Sequence, residues 1–162
     1  MGTNLVISRK ADMERTLVLI KPDAVQRGLI GQVITRLEYR GLKIVALKII
    51  RISEELAEEH YAAHTDKPFF KGLVSFITSS PVVALVLEGK GAVGLVRRTM
   101  GATDPSQADL GSIRGDFAQD MGRNIIHGSD SPESAREEIS RFFSDGDLLD
   151  YDRDLDGWII ES

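Results

Sequence analysis

The chain has 162 residues, 42% of them hydrophobic, which is enough for one domain with a sizeable core. Its formal net charge of -5 argues against nucleic-acid binding by bulk electrostatics, because neutralising phosphates requires clustered Lys and Arg. The lack of cysteine excludes disulfides, thiol nucleophiles and thiolate metal sites, and it suits a reducing cytoplasm, where we expect the protein. No apolar run approaches membrane-spanning length, so we predict no membrane partner.

Residues 1–12 contain a short apolar stretch followed by basic residues. The stretch is too short for a secretory signal, and its basic residues lie on the wrong side. Met13 offers an alternative start. We therefore interpret residues 1–12 as an N-terminal extension, either flexible or left by cloning, and residues 13–162 as the folded domain.

The first third of the chain is predicted to form two strands and a helix before a second helix begins. Residues 16–20 are apolar and rich in β formers, which predicts a buried strand that ends at Lys21 and the following proline. Apolar residues recur at helical spacing over residues 31–40, and a glycine then signals the helix end. Residues 42–52 are apolar on both faces, which suits a central strand. Ser53 and two following acids indicate the next helix start.

Later elements are predicted from turn signals and helix starts. Residues 73–78 and 82–87 are interpreted as two strands joined by a tight antiparallel reversal at a Ser-Ser-Pro turn. A helix follows over residues 92–100, and residues 102–115 form a long loop. Pro132, at the tolerated first position, begins the last clear helix. The mixture of a β reversal with helical crossovers favours a two-layer α+β domain.

Two motifs point to other protein classes, and both are incomplete. Residues 89–94 spell Gly-x-Gly-x-x-Gly before a predicted helix, but a dinucleotide fold also needs a second strand close behind, where the long loop lies. His60 and His64 have the spacing of a zinc-hydrolase helix, but Tyr61 stands where that motif has glutamate. We expect these two histidines on one helix face near the surface.

Residues 124–130, Asn-Ile-Ile-His-Gly-Ser-Asp, present a histidine directly after two apolar residues. This is a good position to expose an imidazole, and we expect Gly128 to relieve crowding of the His127 ring and to tolerate positive φ. Ser129 can orient the ring or cap the next helix. A neutral imidazole is a nucleophile toward phosphorus or a proton carrier, and the motif alone leaves both open.

The position of Glu138 on its predicted helix indicates that this carboxylate has a partner. At about 100° per residue, Glu138 lies about 60° from Ala135, beside the apolar stripe of its helix, and a carboxylate there usually has a partner.

Several cationic and polar residues also stand at presumed strand and helix ends. Together they would make a polyphosphate pocket, although their spacing alone does not bring them together. They are Lys21, Arg97, Thr103, Arg114, Asn124 and His127.

Six segments of the chain, in this order and spacing, resemble the nucleoside diphosphate kinase family. They are VLIKPDAVQRGLIG, HYAAHTDKPFFKGLV, SSPVVALVLEG, GATDP, IRGDF and GRNIIHGSDS. The match runs from about residue 13 to residue 143 and continues more loosely into the tail. The resemblance implies a single domain with a ferredoxin-like α+β fold, in which helices cover an antiparallel four-stranded sheet.

The resemblance also implies ping-pong transfer of the γ-phosphoryl group from a nucleoside triphosphate such as ATP to a nucleoside diphosphate, through a phosphohistidine. The implied partners are nucleoside di- and triphosphates, and the implied cofactor is Mg²⁺ carried by the nucleotide phosphates. Stacking of the base against an aromatic ring would give broad base specificity. The family further implies a homo-oligomer, a tetramer or a hexamer built from dimers.

The family's functional residues match positions in this chain. His127 matches the nucleophile, Glu138 the carboxylate that orients it, and Ser129 the small hydroxyl residue beside it. The phosphate contacts match Lys21, Arg97, Thr103 and Arg114, and the ribose hydroxyl contacts match Lys21 and Asn124. Tyr61 matches a residue near the phosphates, and Phe69 matches the aromatic that stacks on the base, with Leu73 and Met121 around it.

One loop departs from the family pattern. Leu110, Gly111 and Ser112 precede Ile-Arg-Gly, where the family usually has proline, glycine and threonine. That loop commonly builds subunit contacts, and without proline we expect it to be more adaptable. A nucleotide-binding regulatory or scaffold protein with dormant chemistry is the main alternative to an active kinase. Nucleic-acid binding is a third hypothesis, which the net charge disfavours.

Overall fold

The structure is a computed structural model and describes residues 12–161. Its strands are Met13–Ile20 (β1), Lys43–Ile50 (β2), Val82–Lys90 (β3) and Ile126–Gly128 (β4). They form one sheet in the order β2-β3-β1-β4, and every neighbouring pair is antiparallel. The ferredoxin-like, four-stranded antiparallel sheet that the resemblance implied is therefore confirmed.

The α-helices of the described residues connect and cover these strands. They are Pro22–Gln26 (α1), Ile30–Tyr39 (α2), Glu54–His60 (α3), Phe70–Thr78 (α4), Ala92–Met100 (α5), Ile113–Phe117 (α6), Pro132–Phe142 (α7) and Asp156–Ile159 (α8). Short 3-10 turns are found at Ala62–His64, Pro105–Gln107 and Asp145–Asp147. Across residues 12–161, no helix has the length and apolar character needed to span a membrane.

Hydrophobic cores lie on both faces of the sheet, because the central strands are apolar on both sides. In β1, Val18 and Ile20 pack in one core, whereas Leu17 and Leu19 pack in the other. Helices α2 and α5 cover the first core, and helices α3, α4 and α7 cover the second. The expected two-layer arrangement is therefore wrong in this respect, since helices cover two faces rather than one.

The predicted strand over residues 73–78 is also wrong, because these residues belong to helix α4. Val74 and Ile77 are buried in the second core and Phe70 packs against it. Their separations of four and three residues are helical, but the β-branched composition of the segment favoured a strand. The expected tight reversal is consequently absent: the Ser-Ser-Pro segment joins a helix to β3.

Most other predicted elements are confirmed, with small shifts at their ends. Helix α5 has the predicted bounds, and helices α2 and α7 begin within one residue of their predicted starts. Ser53 caps α3 by accepting a hydrogen bond from Leu56 N–H at 3.2 Å. The predicted loop over residues 102–115 contains a 3-10 turn and the start of α6. The N-terminal extension predicted over residues 1–12 lies outside the described residues except for Asp12, and this interpretation stays a prediction.

Candidate active site

The register of β4 sets the direction of His127. His127 pairs with Leu19 of β1, and directly opposed residues of an antiparallel pair share one face of the sheet. Leu19 packs in the core beneath α3 and α7. His127 therefore faces those two helices from an edge strand, and its side chain remains 28% exposed.

Gly128 has a different role from the one expected. It faces the opposite core, where a Cβ would lie 2.6 Å from Met100 Sδ and 3.0 Å from Val96 Cγ1. Gly128 thus allows close packing of α5 against β4 rather than relieving the His127 ring. The positive φ of this segment belongs to Ile125, at 75°.

Ile125 is a β-branched residue in the left-handed region, which costs roughly 1–3 kcal/mol. Neighbouring groups hold it there. Its N–H donates to Asp23 Oδ2 at 3.0 Å, and its carbonyl accepts from the Lys21 N–H at 2.8 Å. The side chain is fully buried. The turn before His127 is therefore fixed by the segment that follows β1.

Glu138, on α7, forms a hydrogen bond with Nε2 of His127. This contact engages Nε2, and Nδ1 is the ring nitrogen that does not take part in it. Burial pushes the pKa of Glu138 up, but His127 outweighs this effect, so the pKa lies below the ordinary value. Ser129 is fully buried beside this pair, and it adds a smaller contribution to the low pKa of Glu138, although its hydroxyl forms no hydrogen bond within the described residues.

His60 belongs to the same cluster, and the sequence analysis missed it. Its ring lies edge-on to that of His127, with centroids 4.8 Å apart, and its side chain is 3% exposed. Burial, reinforced by the charge of His127, lowers the pKa of His60 to about 3. The signal was available, because His60 follows Leu56 by one helical turn and Leu56 packs against the core. His64 is exposed, as expected, but it lies in the 3-10 turn that follows α3. The expectation that both histidines lie on one helix face near the surface is therefore wrong, since the His60 side chain is buried.

Lys21 and Asn124 meet where β1 ends. Lys21 Nζ donates to Asn124 Oδ1 at 2.5 Å, and Asn124 Nδ2 donates to the Thr103 carbonyl at 2.9 Å. Burial and the charge of Arg114 lower the pKa of Lys21 to about 8. The structure therefore brings together three predicted site residues from distant parts of the chain.

Arg114 is 4% exposed and acts as an anchor for the surrounding loops. Its guanidinium donates to the carbonyls of Asn124, Gly101 and Ile126 at 3.1, 3.2 and 2.7 Å. Burial and the nearby Arg97 lower its pKa to about 10. Arg97 itself is exposed and donates to the Gly128 carbonyl at 3.4 Å. Positive charge thus gathers around the end of β4.

The residues matched to base recognition are partly exposed. Phe69 is 52% exposed, whereas the adjacent Phe70 packs against the core, so the two rings have different surroundings. Leu73 lies one helical turn after Phe69, and Met121 is 61% exposed. Tyr61 packs against His60, and burial together with the Glu138 charge raises the pKa of Tyr61 to about 12.

The Gly-x-Gly-x-x-Gly segment does not form a dinucleotide site. It begins in the last two residues of β3 and runs into α5. Strand β3 is antiparallel to both of its neighbours, so the required parallel βαβ unit is not formed here. Glu14 Oε2 accepts from Val93 N–H at 2.8 Å and thereby takes a donor at the start of α5. A carboxylate therefore occupies the place where that motif would hold a phosphate.

The described residues do not offer Mg²⁺ an oxygen-rich cage of their own. Mg²⁺ prefers oxygen ligands in octahedral geometry. Within residues 12–161, the group of three or more potential ligands consists of His60, His127 and Glu138, of which two donate nitrogen. This arrangement, beside Lys21 and Arg97, fits a Mg²⁺ ion that arrives bound to phosphate oxygens.

Comparison with known proteins gives a consistent result. A family model described as nucleoside diphosphate kinase matches residues 14–148. The nucleoside diphosphate kinase of Pelotomaculum thermopropionicum is 61% identical over 149 residues, which cover 92% of this chain and 100% of the relative. That of Archaeoglobus fulgidus is 58% identical, with 92% and 99% covered.

Solved structures agree in fold. A halophilic nucleoside diphosphate kinase from Halobacterium salinarum, in complex with CDP, superposes with a TM-score of 0.89 at 58% identity, covering 91% of this chain and 99% of that one. A nucleoside diphosphate kinase family protein from Babesia bovis gives 0.88 at 41% identity over the same shares. With its fold, its His127 cluster and these relatives, the chain belongs to the nucleoside diphosphate kinase family, a family of phosphotransferases.

Proposed function

We propose that this chain is an active nucleoside diphosphate kinase in which His127 is the nucleophile. The observation that carries this proposal is the hydrogen bond between Glu138 and Nε2 of a partly exposed His127. It fixes the ring and leaves Nδ1 for attack on phosphorus. The residue roles that follow rest on this geometry and on the match to the family.

In the first half-reaction, the Nδ1 lone pair attacks the γ-phosphorus of a nucleoside triphosphate. The P–N bond forms as the bond to the bridging oxygen breaks, and the nucleoside diphosphate leaves with that electron pair. The ring becomes positively charged, and Glu138 stabilises its Nε2–H. In the second half-reaction, a terminal oxygen of another nucleoside diphosphate attacks the phosphorus and the neutral histidine returns.

Charge neutralisation is assigned to the cations around β4. Lys21 and Arg97 would bind phosphate oxygens directly, and Thr103 would add a neutral donor. Arg114 commits three donors to backbone carbonyls, so we assign it both a loop-anchoring role and a phosphate contact through its remaining donors. Asn124 and Lys21 would also contact the ribose hydroxyls.

The nucleoside would lie along α4. Phe69, half exposed at the start of that helix, offers a stacking face for the base, with Leu73 and Met121 beside it. Stacking reads the π-face of a base rather than its edges, so broad base specificity is expected. Tyr61 would pack near the phosphates.

Members of this family generally need a divalent cation, and we assign Mg²⁺ to that role here. When bound to the nucleotide phosphates, it supplies charge neutralisation at the transferring phosphoryl group. The described residues fit an ion held by the phosphates, since the potential ligands near His127 are mainly nitrogens.

Incubation with ATP labelled in the γ-phosphate tests the proposal. An active enzyme forms an acid-labile, base-stable phosphoprotein that discharges onto added GDP. His127→Ala should abolish the label, and His64→Ala, which changes an exposed histidine, should keep it. A chain that binds nucleotide without becoming labelled would be a regulatory or scaffold protein instead. Label that survives in His127→Ala would exclude the assigned nucleophile.

We also propose a homo-oligomer, a tetramer or a hexamer built from dimers, acting in the cytoplasm. Exposed apolar residues support an assembly: Leu47 and Ile49 on the edge strand β2 are 50% and 62% exposed, and Leu110 in the departing loop is 88% exposed. Sedimentation equilibrium distinguishes the two sizes, and a monomer at micromolar concentration would exclude both.

A further inference from the structure

Three potential metal ligands converge behind the catalytic ring. One ligand atom each from His60, His127 and Glu138 lies within 4.8 Å of the other two. They come from α3, β4 and α7, three elements that the sheet and the second core hold together. His60 Nδ1 lies 3.8 Å from Glu138 Oε1, just beyond hydrogen-bond distance.

His60 Nδ1 is a buried polar atom that has no hydrogen-bond partner among the described residues. The side chain is 3% exposed, and such orphaned polar atoms are rare in proteins. Its ring is held edge-on by Tyr61 at 4.8 Å and by Phe142 at 5.5 Å between centroids. The orientation of this unused nitrogen toward Glu138 is therefore set by packing.

Two imidazole nitrogens and one carboxylate oxygen form a ligand set typical of zinc sites that keep one open position. We propose that His60, Glu138 and His127 form a site for a divalent transition metal such as Zn²⁺, and that this metal inhibits phosphorylation of His127. The set is unsuited to Mg²⁺, which prefers oxygen ligands. This site is therefore distinct from the nucleotide-bound Mg²⁺ assigned to the reaction.

The geometry explains why metal binding and phosphorylation would compete. Zinc bonds of about 2.0–2.2 Å place ligands of a tetrahedral site about 3.3 Å apart. His60 and Glu138 approach this separation, but the hydrogen bond between His127 and Glu138 must open. A neutral imidazole that binds the metal through Nε2 carries its single proton on Nδ1, so the proton would leave Nε2 and Nδ1 would take one up from solvent. Nδ1 would thereby lose the lone pair that attacks phosphorus, and the ring would lose its hydrogen bond to Glu138.

Metal binding can be tested without kinase activity by titrating the untagged full chain with Co²⁺. One equivalent should give the visible d–d bands of a tetrahedral site, and Zn²⁺ should remove them. His60→Asn should weaken Zn²⁺ binding at least about 100-fold, since even residues that only orient metal ligands change affinity by roughly 10- to 100-fold. His64→Asn, the matched control four residues along the chain, should bind like the wild type. Cobalt bands that persist in His60→Asn would overturn the site.

The inhibitory half of the proposal rests on the proposed role of His127 and has its own measurement. Phosphoenzyme formation from labelled ATP is followed in buffers of defined free Zn²⁺, each variant being compared with its own zinc-free rate. At saturating Zn²⁺, the rate of phosphoenzyme formation should fall about tenfold or more in the wild type and in His64→Asn. The rates of His60→Asn and His60→Gln should not fall. Zinc binding without inhibition would overturn the coupling. A chain that is never labelled would instead refute the proposed function, while the cobalt titration still decides the site.

Discussion

Lys21 illustrates how a single buried charge can report nucleotide binding. Burial and the charge of Arg114 lower its pKa to about 8, so Lys21 is mostly protonated at pH 7 and mostly neutral at pH 9. A phosphate bound to the ammonium would favour the charged form and raise this pKa again. Nucleotide binding at pH 9 should therefore take up close to one proton, and binding at pH 7 should involve little uptake by Lys21.

Isothermal titration calorimetry in buffers of different ionisation enthalpy measures this uptake. Lys21→Gln should remove the uptake at pH 9 and weaken binding at pH 7. Lys90→Gln is a matched control, because Lys90 is exposed and pairs with Met13 at the opposite end of β1. Equal proton uptake by the wild type and Lys21→Gln would contradict the assigned phosphate contact.

Site residues differed in how far the sequence could reveal them. Glu138 was predictable because helical counting depends only on local geometry, and the structure places it beside His127. The burial of His60 could have been inferred from Leu56 one helical turn earlier, but its contacts with His127 and Phe142 depend on where β4 and α7 pack. The positive φ was assigned to Gly128 from residue preference, but Asp23 and Lys21 hold Ile125 in that conformation instead. Contacts between segments about 100 residues apart leave no local signal.

The prediction of strands and helices from the sequence was limited in the same way, by what local patterns can show. Strands β1 and β3 and helices α5 and α7 were predicted because their pattern and terminal signals agree. Helix α4 was mistaken for a strand, since Val74 and Ile77 favour strands by composition and the segment is short. The family resemblance identified the four-stranded sheet, whereas pattern reasoning alone added the strand over residues 73–78 and the reversal after it.

Close packing of β4 against α5 gives a second prediction. A Cβ at Gly128 would lie 2.6 Å from Met100 Sδ, so Gly128→Ala should destabilise the protein by about 1–3 kcal/mol, the usual cost of overpacking. The effect should be smaller when Met100 is also replaced by alanine, because the shortened side chain leaves room for the new methyl group. Denaturant unfolding of the two single variants and the double variant measures this coupling.

Gly94→Ala provides the control for that cycle. Gly94 lies in α5 itself, and a Cβ there meets no atom within 4 Å, so alanine should be neutral or slightly stabilising through its helix propensity. If Gly128→Ala were as stable as Gly94→Ala, the close approach of β4 and α5 would not be a constraint on this fold. Strictly additive effects of Gly128→Ala and Met100→Ala would likewise exclude a direct contact.

At the scale of the whole molecule, Glu88 joins the central sheet to the C-terminal tail. Arg15 on β1 and Lys43 on β2 both pair with it, at 2.7 and 2.8 Å. Arg15 also bonds Asp150 at 2.6 Å, and Lys43 Nζ donates to the Tyr151 carbonyl at 2.6 Å. One carboxylate on β3 thus connects both neighbouring strands and the tail that crosses the edge of β2.

The pH dependence of stability tests this network. Burial raises the pKa of Glu88, but the two cations outweigh it and hold the pKa below the ordinary value of 4.5. Because its folded-state pKa is depressed, Glu88 stabilises the protein above its unfolded-state pKa, and this contribution disappears as the pH falls through the folded-state value. Glu88→Gln should therefore lower the free energy of unfolding at pH 7. We expect a loss of about 3 kcal/mol, the low end of the range for breaking a buried ion pair. The low end applies because Lys43 keeps its hydrogen bond to the Tyr151 carbonyl in this variant.

Denaturant unfolding at fixed protein concentration, repeated from pH 7 into the acid range, measures the difference between Glu88→Gln and the wild type. The difference should be largest near neutral pH and should shrink as the wild-type carboxylate becomes protonated. Glu38→Gln removes the same formal charge from an exposed position on α2, and a surface substitution of this kind should change stability by less than about 0.5 kcal/mol at any pH. A difference for Glu88→Gln that stays constant across the acid range would mean that the carboxylate charge is not what joins the strands to the tail.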